Sequence, residues 1–259
     1  MRISLLQTAI AWAKPEVNLN KYLGLLSALK GKSDLAVLPE MCLSGFGAPA
    51  PEISETNRGK CIGKLREAAA DYGLAVTGSF SALDEETKRY FNRGFFFTPD
   101  GRSFYYDKKH LFAMGDENKS YTAGNKQLNI NYLGWNIRLI ICYDLRFPLW
   151  CRNRHNEYDL LLVAANWPQA RQKAWTTLLQ ARAIENLAYV CGVNCVGEDD
   201  RGIVYGGDSL LLDYKASPLS AMKNGREQTE THTLDLDALR DFRQKFPAWK
   251  DADDFHFSE

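Results

Sequence analysis

The segment NIRLIICYDLRFP, residues 136–148, joins an apolar strand to a sharp turn. Its first half is a nearly continuous apolar run of the kind that forms a strand buried on both faces. The run ends at Cys142, and the residues after the turn predict a short helix at Phe147–His155. A strand that leads through a turn into a helix is typical of α/β sheets, which hold their reactive side chains near the carboxyl ends of the strands.

The same mixture of apolar strands and amphipathic helices extends in both directions from this segment. Apolar runs predict strands at 3–10, 34–38, 74–80, 90–98, 102–106, 135–141, 159–164, 189–196, 203–205, 209–213 and 231–234. Helical spacing of apolar residues predicts helices at 17–30, 58–72, 171–188 and 236–245. Gly73 stands where a C-terminal glycine would end the second of these helices. We therefore predict an α/β fold with helix-covered sheets in a single domain over residues 1–259.

Composition narrows the possible partners and locations of the protein. The chain has 259 residues, of which 45% are hydrophobic, and its 32 basic residues balance 32 acidic ones. A chain without net charge has no overall field to attract nucleic acid or an anionic membrane. No apolar stretch approaches the roughly 20 residues that span a bilayer, and the first residues lack the pattern of a secretory signal. The six scattered cysteines indicate a reducing compartment, so we expect a soluble cytoplasmic protein.

Three reactive side chains share the context of an apolar strand end. Cys142 is the candidate nucleophile, because free backbone N–H groups and a helix dipole after the turn would favour its thiolate. Glu40 follows the apolar segment DLAVLP, where burial would raise its pKa and suit it to general-base work. Lys108, in YYDKKHLF, would place a fixed cation beside a developing oxyanion. Taken singly, each residue also fits an ordinary role: a packed thiol, a surface carboxylate or a solvated lysine.

His110 is another possible partner for the thiol, because a Cys–His pair is the commoner way to activate a cysteine. The chain has only four histidines, and no aspartate or asparagine is obviously placed to orient this one, so we favour Glu40. No histidine–cysteine cluster has the spacing of metal ligands, and neither a P-loop nor a G-x-G-x-x-G motif is present. We therefore expect neither a metal nor a cofactor.

Together, LPE with Glu40, DKKHLF with Lys108 and ICYDLRFP with Cys142 resemble the nitrilase (carbon-nitrogen hydrolase) superfamily, and its bacterial omega-amidase branch in particular. The resemblance implies a four-layer α-β-β-α sandwich that dimerises, with these three residues as a catalytic triad. It also implies a substrate class, since enzymes of that branch release ammonia from alpha-ketoglutaramate or alpha-ketosuccinamate. A thioester on the cysteine would be the intermediate.

The resemblance further implies supporting residues around the triad. The family has a second glutamate after the lysine segment, for which Glu117 is the best candidate and the adjacent Asp116 the alternative. In the implied mechanism, the backbone N–H of Tyr143 holds the oxyanion together with Lys108.

Three side chains are candidates for contact with the substrate. Phe46 and Trp167 are expected to line the pocket, and Arg146 would meet a substrate carboxylate. For Arg146 we favour the alternative of a structural ion pair with Asp144 or Glu185, because arginine near a buried helix start often pairs with a carboxylate.

The sequence thus predicts an enzyme that hydrolyses a small carboxamide to an acid and ammonia. Two alternatives remain open: a nitrilase or an aliphatic or carbamoyl amidase of the same superfamily, and a catalytically silent interaction module. The second would use the dimer surface and the aromatic tail FPAWKDADDFHF. The expected partners are a small-molecule amide and a second copy of the chain, with no nucleic acid and no membrane.

Overall fold

Thirteen strands and seven α-helices form the part of the chain that the structure describes, residues 1–257 of a computed structural model. The strands are β1 (Arg2–Gln7), β2 (Leu35–Val37), β3 (Ala75–Leu83), β4 (Tyr90–Phe97), β5 (Ser103–Asp107), β6 (Asn129–Tyr132), β7 (Trp135–Ile141), β8 (Leu160–Ala165), β9 (Tyr189–Asn194), β10 (Val196–Glu198), β11 (Val204–Gly206), β12 (Leu210–Leu212) and β13 (Gln228–Thr233). The helices are α1 (Pro15–Ala28), α2 (Ala50–Ile53), α3 (Lys60–Tyr72), α4 (Glu117–Ser120), α5 (Pro148–Cys151), α6 (Gln172–Asn186) and α7 (Leu236–Lys245).

The strands form two main sheets. One has six strands in the order β13-β1-β2-β3-β4-β5, and the other has five in the order β12-β9-β8-β7-β6. The centre of each sheet is parallel, β1 with β2 and β3 in the first and β7 with β8 and β9 in the second. Parallel strands buried on both faces are encoded by continuous apolar runs, which is why these central strands were predictable.

Four layers result from the way the helices cover the sheets. Helices α1 and α3 share an apolar cluster with the six-stranded sheet, in which Leu26 and Ile62 are fully buried. Helix α6 covers the five-stranded sheet and buries Trp175. The inner faces of the two sheets meet in one core that contains Leu5 and Leu139. Each such side chain contributes about 1.5–3 kcal/mol when removed from water. The order of the layers confirms the α-β-β-α sandwich that the family resemblance implied.

Predictions of individual helices and strands were confirmed where the spacing of apolar residues and the flanking residues indicated the same boundary. Strand β7 has the predicted bounds, and helix α7 matches the predicted residues 236–245. Gly73 ends α3 with a φ of 68°, in the left-handed region that glycine enters without strain. The short elements α2, α4, β6 and β10 were not predicted.

The predicted helix at Phe147–His155 is wrong in extent, because the α-helical part is only Pro148–Cys151. The chain leaves the helix at Arg152, and the backbone N–H of Asn153 donates to the Asn186 side chain of α6 at 2.8 Å. A tertiary hydrogen bond therefore replaces the next helical one. No helix within residues 1–257 is both long and apolar enough to cross a membrane.

Candidate active site

The three predicted reactive residues lie at the same edge of the two sheets. Glu40 follows β2, Lys108 follows β5 and Cys142 follows β7. Strands β2 and β5 run in the same direction, because β5 is antiparallel to β4, which is antiparallel to β3, the parallel neighbour of β2. All three residues line one cavity of about 230 Å³. The structure thus brings together side chains as far apart in the sequence as Glu40 and Cys142.

A buried network of charges forms the bottom of this cavity. The Lys108 Nζ lies 2.7 Å from Glu40 Oε1 and 2.9 Å from Glu117 Oε2, and all three side chains are at most 1% exposed. Asn92 Nδ2 donates to both carboxylates at 2.8 Å. Burial alone would lower the pKa of Lys108, but the charges of Glu117 and Glu40 outweigh it and raise that pKa. We call Glu40, Asn92, Lys108, Glu117 and Cys142 the buried floor.

Of the two acidic candidates after the lysine segment, Glu117 is the one that belongs to the floor. Its Oε2 also accepts the backbone N–H of Phe112 at 2.7 Å, which anchors the carboxylate. Asp116 is exposed and pairs with Lys119 at 3.0 Å. The choice of Glu117 in the sequence analysis therefore agrees with the geometry.

Asn92 is a floor residue to which sequence reasoning gave no role. It lies in β4, and its Oδ1 accepts the Ser79 hydroxyl at 2.9 Å, while the Met41 backbone N–H donates to the same hydroxyl at 2.8 Å. This chain of hydrogen bonds fixes the side-chain amide so that its NH₂ group faces Glu40 and Glu117. The available signal was an asparagine within the apolar strand YFNRGFFF, where a buried amide needs partners.

Glu40 is held at both oxygens. Oε1 accepts from Lys108 and Asn92, and Oε2 accepts the backbone N–H of Asn166 at 2.8 Å. Burial, together with the charge of Glu117, raises the pKa of Glu40 above its usual value despite the opposing effect of Lys108. A carboxylate with a raised pKa is a stronger base, as predicted for this residue.

Cys142 occupies a strained turn at the end of β7. Its φ is 43°, a left-handed value that a non-glycine residue rarely adopts, and such strain is concentrated at functional sites. The thiol points to the backbone oxygen of Asn166 at 3.8 Å. Burial and the charge of Glu40 raise the pKa of the thiol well above its usual value, although Lys108 opposes this effect.

The expectation of a thiolate stabilised by a helix dipole is therefore wrong for the resting protein. The residues after the strand form a 3₁₀ turn, Cys142–Arg146, and not an α-helix, so little dipole is present. Burial thus favours the protonated form of the Cys142 thiol.

His110 does not contact the thiol. Its Nδ1 lies 2.9 Å from Asp144 Oδ1, and its ring stacks on Phe147 at a centroid distance of 3.7 Å. Asp144 therefore orients His110, a contact that was not predicted from the sequence. Because Asp144 also accepts the Tyr106 hydroxyl at 2.6 Å, the histidine belongs to a hydrogen-bond network beside the floor.

The wall of the cavity contains Phe46 and Trp167, which were predicted to line it, together with Arg146 and Tyr143. The Phe46 ring lies 5.5 Å from Lys108 Nζ, over the floor. An aromatic face so close to an ammonium group excludes water and interacts favourably with the charge. The predicted side chains thus surround the three reactive groups.

The structural ion pair that we favoured for Arg146 is wrong. Within residues 1–257, Asp144 bonds to His110 and Glu185 pairs with Arg182 at 2.9 Å. The Arg146 guanidinium instead stacks 4.8 Å from the centroid of the Trp167 ring and lines the cavity. Its charge therefore remains available to a ligand.

Two further arginines of the cavity wall were not predicted. The Arg171 guanidinium lies 5.1 Å from the Phe112 ring, and Arg201 donates to the Phe46 backbone oxygen at 3.4 Å while pairing with Asp199 at 3.2 Å. We call Arg146, Arg171 and Arg201 the arginine rim. Glu40 is the one carboxylate among the described lining residues, so the cavity is cationic around its mouth.

Stacked sheets between outer helices, with a thiol, a carboxylate and an ammonium group in one buried cavity, define a class of α-β-β-α protein suited to covalent hydrolysis. The sequence profile of the carbon-nitrogen hydrolase family matches residues 2–244. The chain belongs to that family and is a carbon-nitrogen hydrolase.

Curated relatives and solved structures agree with this assignment. Omega-amidase YafV of Escherichia coli K12 is 39% identical over 255 residues, 98% of both chains. The 2-oxoglutaramate amidase of Bacillus subtilis is 29% identical over 253 residues, 96% of both chains. The crystal structure of XC1258 from Xanthomonas campestris, a CN-hydrolase superfamily protein with an arsenic adduct in its active site, has a TM-score of 0.96 at 43% identity and covers 100% of this chain and 99% of its own.

Proposed function

We propose that the protein is an omega-amidase, which hydrolyses the amide of alpha-ketoglutaramate or alpha-ketosuccinamate to the keto acid and ammonia. One observation carries the proposal: the cavity combines the buried floor with the arginine rim. A keto-dicarboxylic monoamide has an amide at one end and a carboxylate at the other. The floor suits the first group, and guanidinium groups suit the second. The names of the Escherichia coli and Bacillus subtilis relatives point to the same substrate class.

In the proposed acylation step, Glu40 takes the proton of the Cys142 thiol and the sulfur attacks the amide carbon. Lys108 and the backbone N–H of Tyr143 stabilise the oxyanion, which in enzymes is typically worth about 10²–10³ in rate for each donor. Glu40 then gives the proton to the departing nitrogen. The C–N bond breaks, ammonia leaves, and a thioester remains on Cys142.

In the proposed second step, Glu40 removes a proton from water and the resulting hydroxide attacks the thioester carbon. The C–S bond breaks, the sulfur recovers the proton from Glu40, and the acid is released. Glu117 and Asn92 position the reacting groups, since both bond to Lys108 or Glu40.

The alternatives make different demands on the site. A nitrilase or an aliphatic or carbamoyl amidase would use the same floor, but it would have no use for three guanidinium groups around the mouth. A silent interaction module would have no physical need for a base, a cation and a thiol in one cavity. Both readings are therefore less well supported by the geometry.

The decisive measurement is ammonia release from alpha-ketoglutaramate compared with glutamine, asparagine and a simple aliphatic nitrile. We expect the keto acid amide to be fastest, because the α-ammonium group of an amino acid would approach the arginine rim at a cost. Rapid quenching and intact-mass analysis should reveal an acyl adduct on Cys142, with a Cys42→Ala protein as a control that retains the adduct. Equal turnover of neutral aliphatic amides would contradict the proposed substrate class.

Three broader features complete the proposal. We infer that residues 1–259 act as one domain, since the two sheets share a common core, and that the protein functions as a homodimer in the cytoplasm without a metal or cofactor. A reducing location is supported by the six cysteines, all of which are free and buried.

A further inference from the structure

A small compartment lies beside the cavity and shares Phe46, Asn166 and Tyr205 with its wall. Its volume is about 20 Å³, and Trp12 and Cys195 line its other sides. A space needs about 10–15 Å³ to hold one water molecule, together with polar groups to bind it. The compartment is therefore large enough for a molecule of that size and too small for a substrate.

Polar atoms around the compartment lack partners in the protein. The indole N–H of Trp12 is buried and has no hydrogen bond within residues 1–257, and the same holds for both Oδ1 and Nδ2 of Asn166. Asn166 is only 6% exposed. Because buried polar groups are nearly always hydrogen-bonded, an unpartnered donor and an unpartnered acceptor on two residues that line one small space indicate a bound polar molecule.

Asn166 also connects the compartment to the buried floor. Its backbone N–H donates to Glu40 Oε2 at 2.8 Å, and its backbone oxygen accepts from the Cys142 thiol at 3.8 Å. The residue that separates compartment from cavity thus contacts both the proposed base and the proposed nucleophile.

From these contacts we propose that the compartment between Trp12 and Asn166 binds the water molecule that hydrolyses the thioester. The inference rests on the proposed function. The Trp12 indole donates to the water oxygen, and the water donates one proton to Asn166 Oδ1. The water then passes Asn166 into the cavity, where its other proton goes to Glu40 as the oxygen bonds to the thioester carbon. The C–S bond then breaks, and Glu40 returns the proton to the sulfur.

Such a site holds the attacking water in one orientation, which a water molecule that enters through the mouth of the cavity lacks. Trp12 and Asn166 are positioning residues in this scheme, acting on the second step alone. Loss of the Trp12 indole N–H should therefore slow hydrolysis of the thioester and leave its formation unchanged.

The test is a Trp12→Phe protein, which loses the indole N–H and keeps an aromatic ring, studied with alpha-ketoglutaramate. Acylation is followed by the ammonia burst, and the fate of the thioester by its partition between water and added hydroxylamine. Hydroxylamine enters through the open mouth of the cavity, so its reaction does not depend on the compartment. A Trp249→Phe protein, altered in a 3₁₀ turn at the other end of the chain, is the matched control.

We expect the Trp12→Phe protein to retain the ammonia burst, to hydrolyse the thioester about tenfold more slowly and to give a correspondingly larger share of hydroxamate. An Asn166→Leu protein should show the same partition change. An unchanged partition ratio in both variants would overturn the proposal, even if their overall rates fell, because a structural defect slows both steps together. If the unaltered protein releases no ammonia from any amide, the proposed function is wrong. If it releases ammonia but the partition ratio is the same in the variants, only the proposed water site is wrong.

Discussion

The buried floor and the arginine rim are both charged, but they hold their charges in opposite ways. In the floor, Lys108 and Glu40 are at most 1% exposed and every charged atom has a hydrogen-bond partner at 2.7–3.1 Å. In the rim, the Arg201 side chain is 38% exposed, and Arg146 is held mainly by an aromatic ring.

Under the proposed function, the floor carries out the reaction and the rim selects the substrate. A buried, fully paired network costs much to disturb, because loss of one partner leaves a charge uncompensated in a low-dielectric site. Exposed guanidinium groups stacked on rings can adjust to a ligand, and their loss removes binding energy without disturbing the floor. We therefore expect floor substitutions to affect kcat and rim substitutions to affect KM.

The largest effect is expected from Cys142→Ala. Without a nucleophile no thioester forms, and kcat for ammonia release should fall by roughly 10⁴-fold or more. Stability should change little, because the thiol donates a single long hydrogen bond, to the backbone oxygen of Asn166 at 3.8 Å. Steady-state ammonia release and thermal unfolding measure the two quantities. Full ammonia release by this variant would refute the role proposed for Cys142.

Glu117→Gln tests whether the floor works as a network. The substitution keeps the shape but removes one of the two negative charges beside Lys108, so we expect kcat to fall by about 10²-fold and the free energy of unfolding by about 3 kcal/mol. Chemical denaturation and steady-state kinetics measure both. Asp116→Asn, which removes the exposed neighbouring carboxylate, should alter stability by less than about 1 kcal/mol. Equal effects from the two variants would argue against a special role for the floor.

Arg201→Met tests the rim. It removes a hydrogen-bonding cation from the mouth, so KM for alpha-ketoglutaramate should rise about tenfold while kcat stays within about twofold. KM for a neutral amide such as butyramide should not change. Arg240→Met, at an exposed position of α7, is the control and should leave both KM values unaltered. A fall in kcat with unchanged KM would mean that Arg201 acts on the reaction, as the floor residues do, and not on substrate binding.

The smallest effect is a shift in pH dependence. Glu40 acts as a base only when ionised, and burial together with the charge of Glu117 raises its pKa above the usual 4.5. A plot of kcat/KM against pH should therefore have a rising limb whose midpoint lies above pH 4.5. Glu117→Gln removes the neighbouring negative charge, so the limb should move to lower pH. A limb that stays in place when kcat/KM is measured against pH would mean that Glu117 does not influence Glu40.

Much of the fold could be predicted because it is encoded locally. The strand Trp135–Ile141 and the helix Leu236–Lys245 follow from apolar spacing and flanking residues. The candidate reactive residues were recognisable for the same reason, because each lies at or just after the end of an apolar run: Glu40, Lys108 and Cys142. The prediction of a helix at Phe147–His155 was wrong beyond Cys151. There the backbone N–H of Asn153 donates to the side chain of Asn186, a residue remote in the sequence.

The sequence by itself determined the central strands, the helices that cover them and the three reactive side chains at the strand ends. Only the tertiary structure decided how those side chains are paired. The contact of Glu40 with Asn166 spans 126 residues, and Arg146 lines the cavity because the nearby carboxylates are occupied by other partners. Periodicity reports which face of an element is buried, whereas protonation and ion pairing depend on the distances between elements. Those distances, and the desolvation that raises the pKa of the Cys142 thiol, arise only when the two sheets pack together.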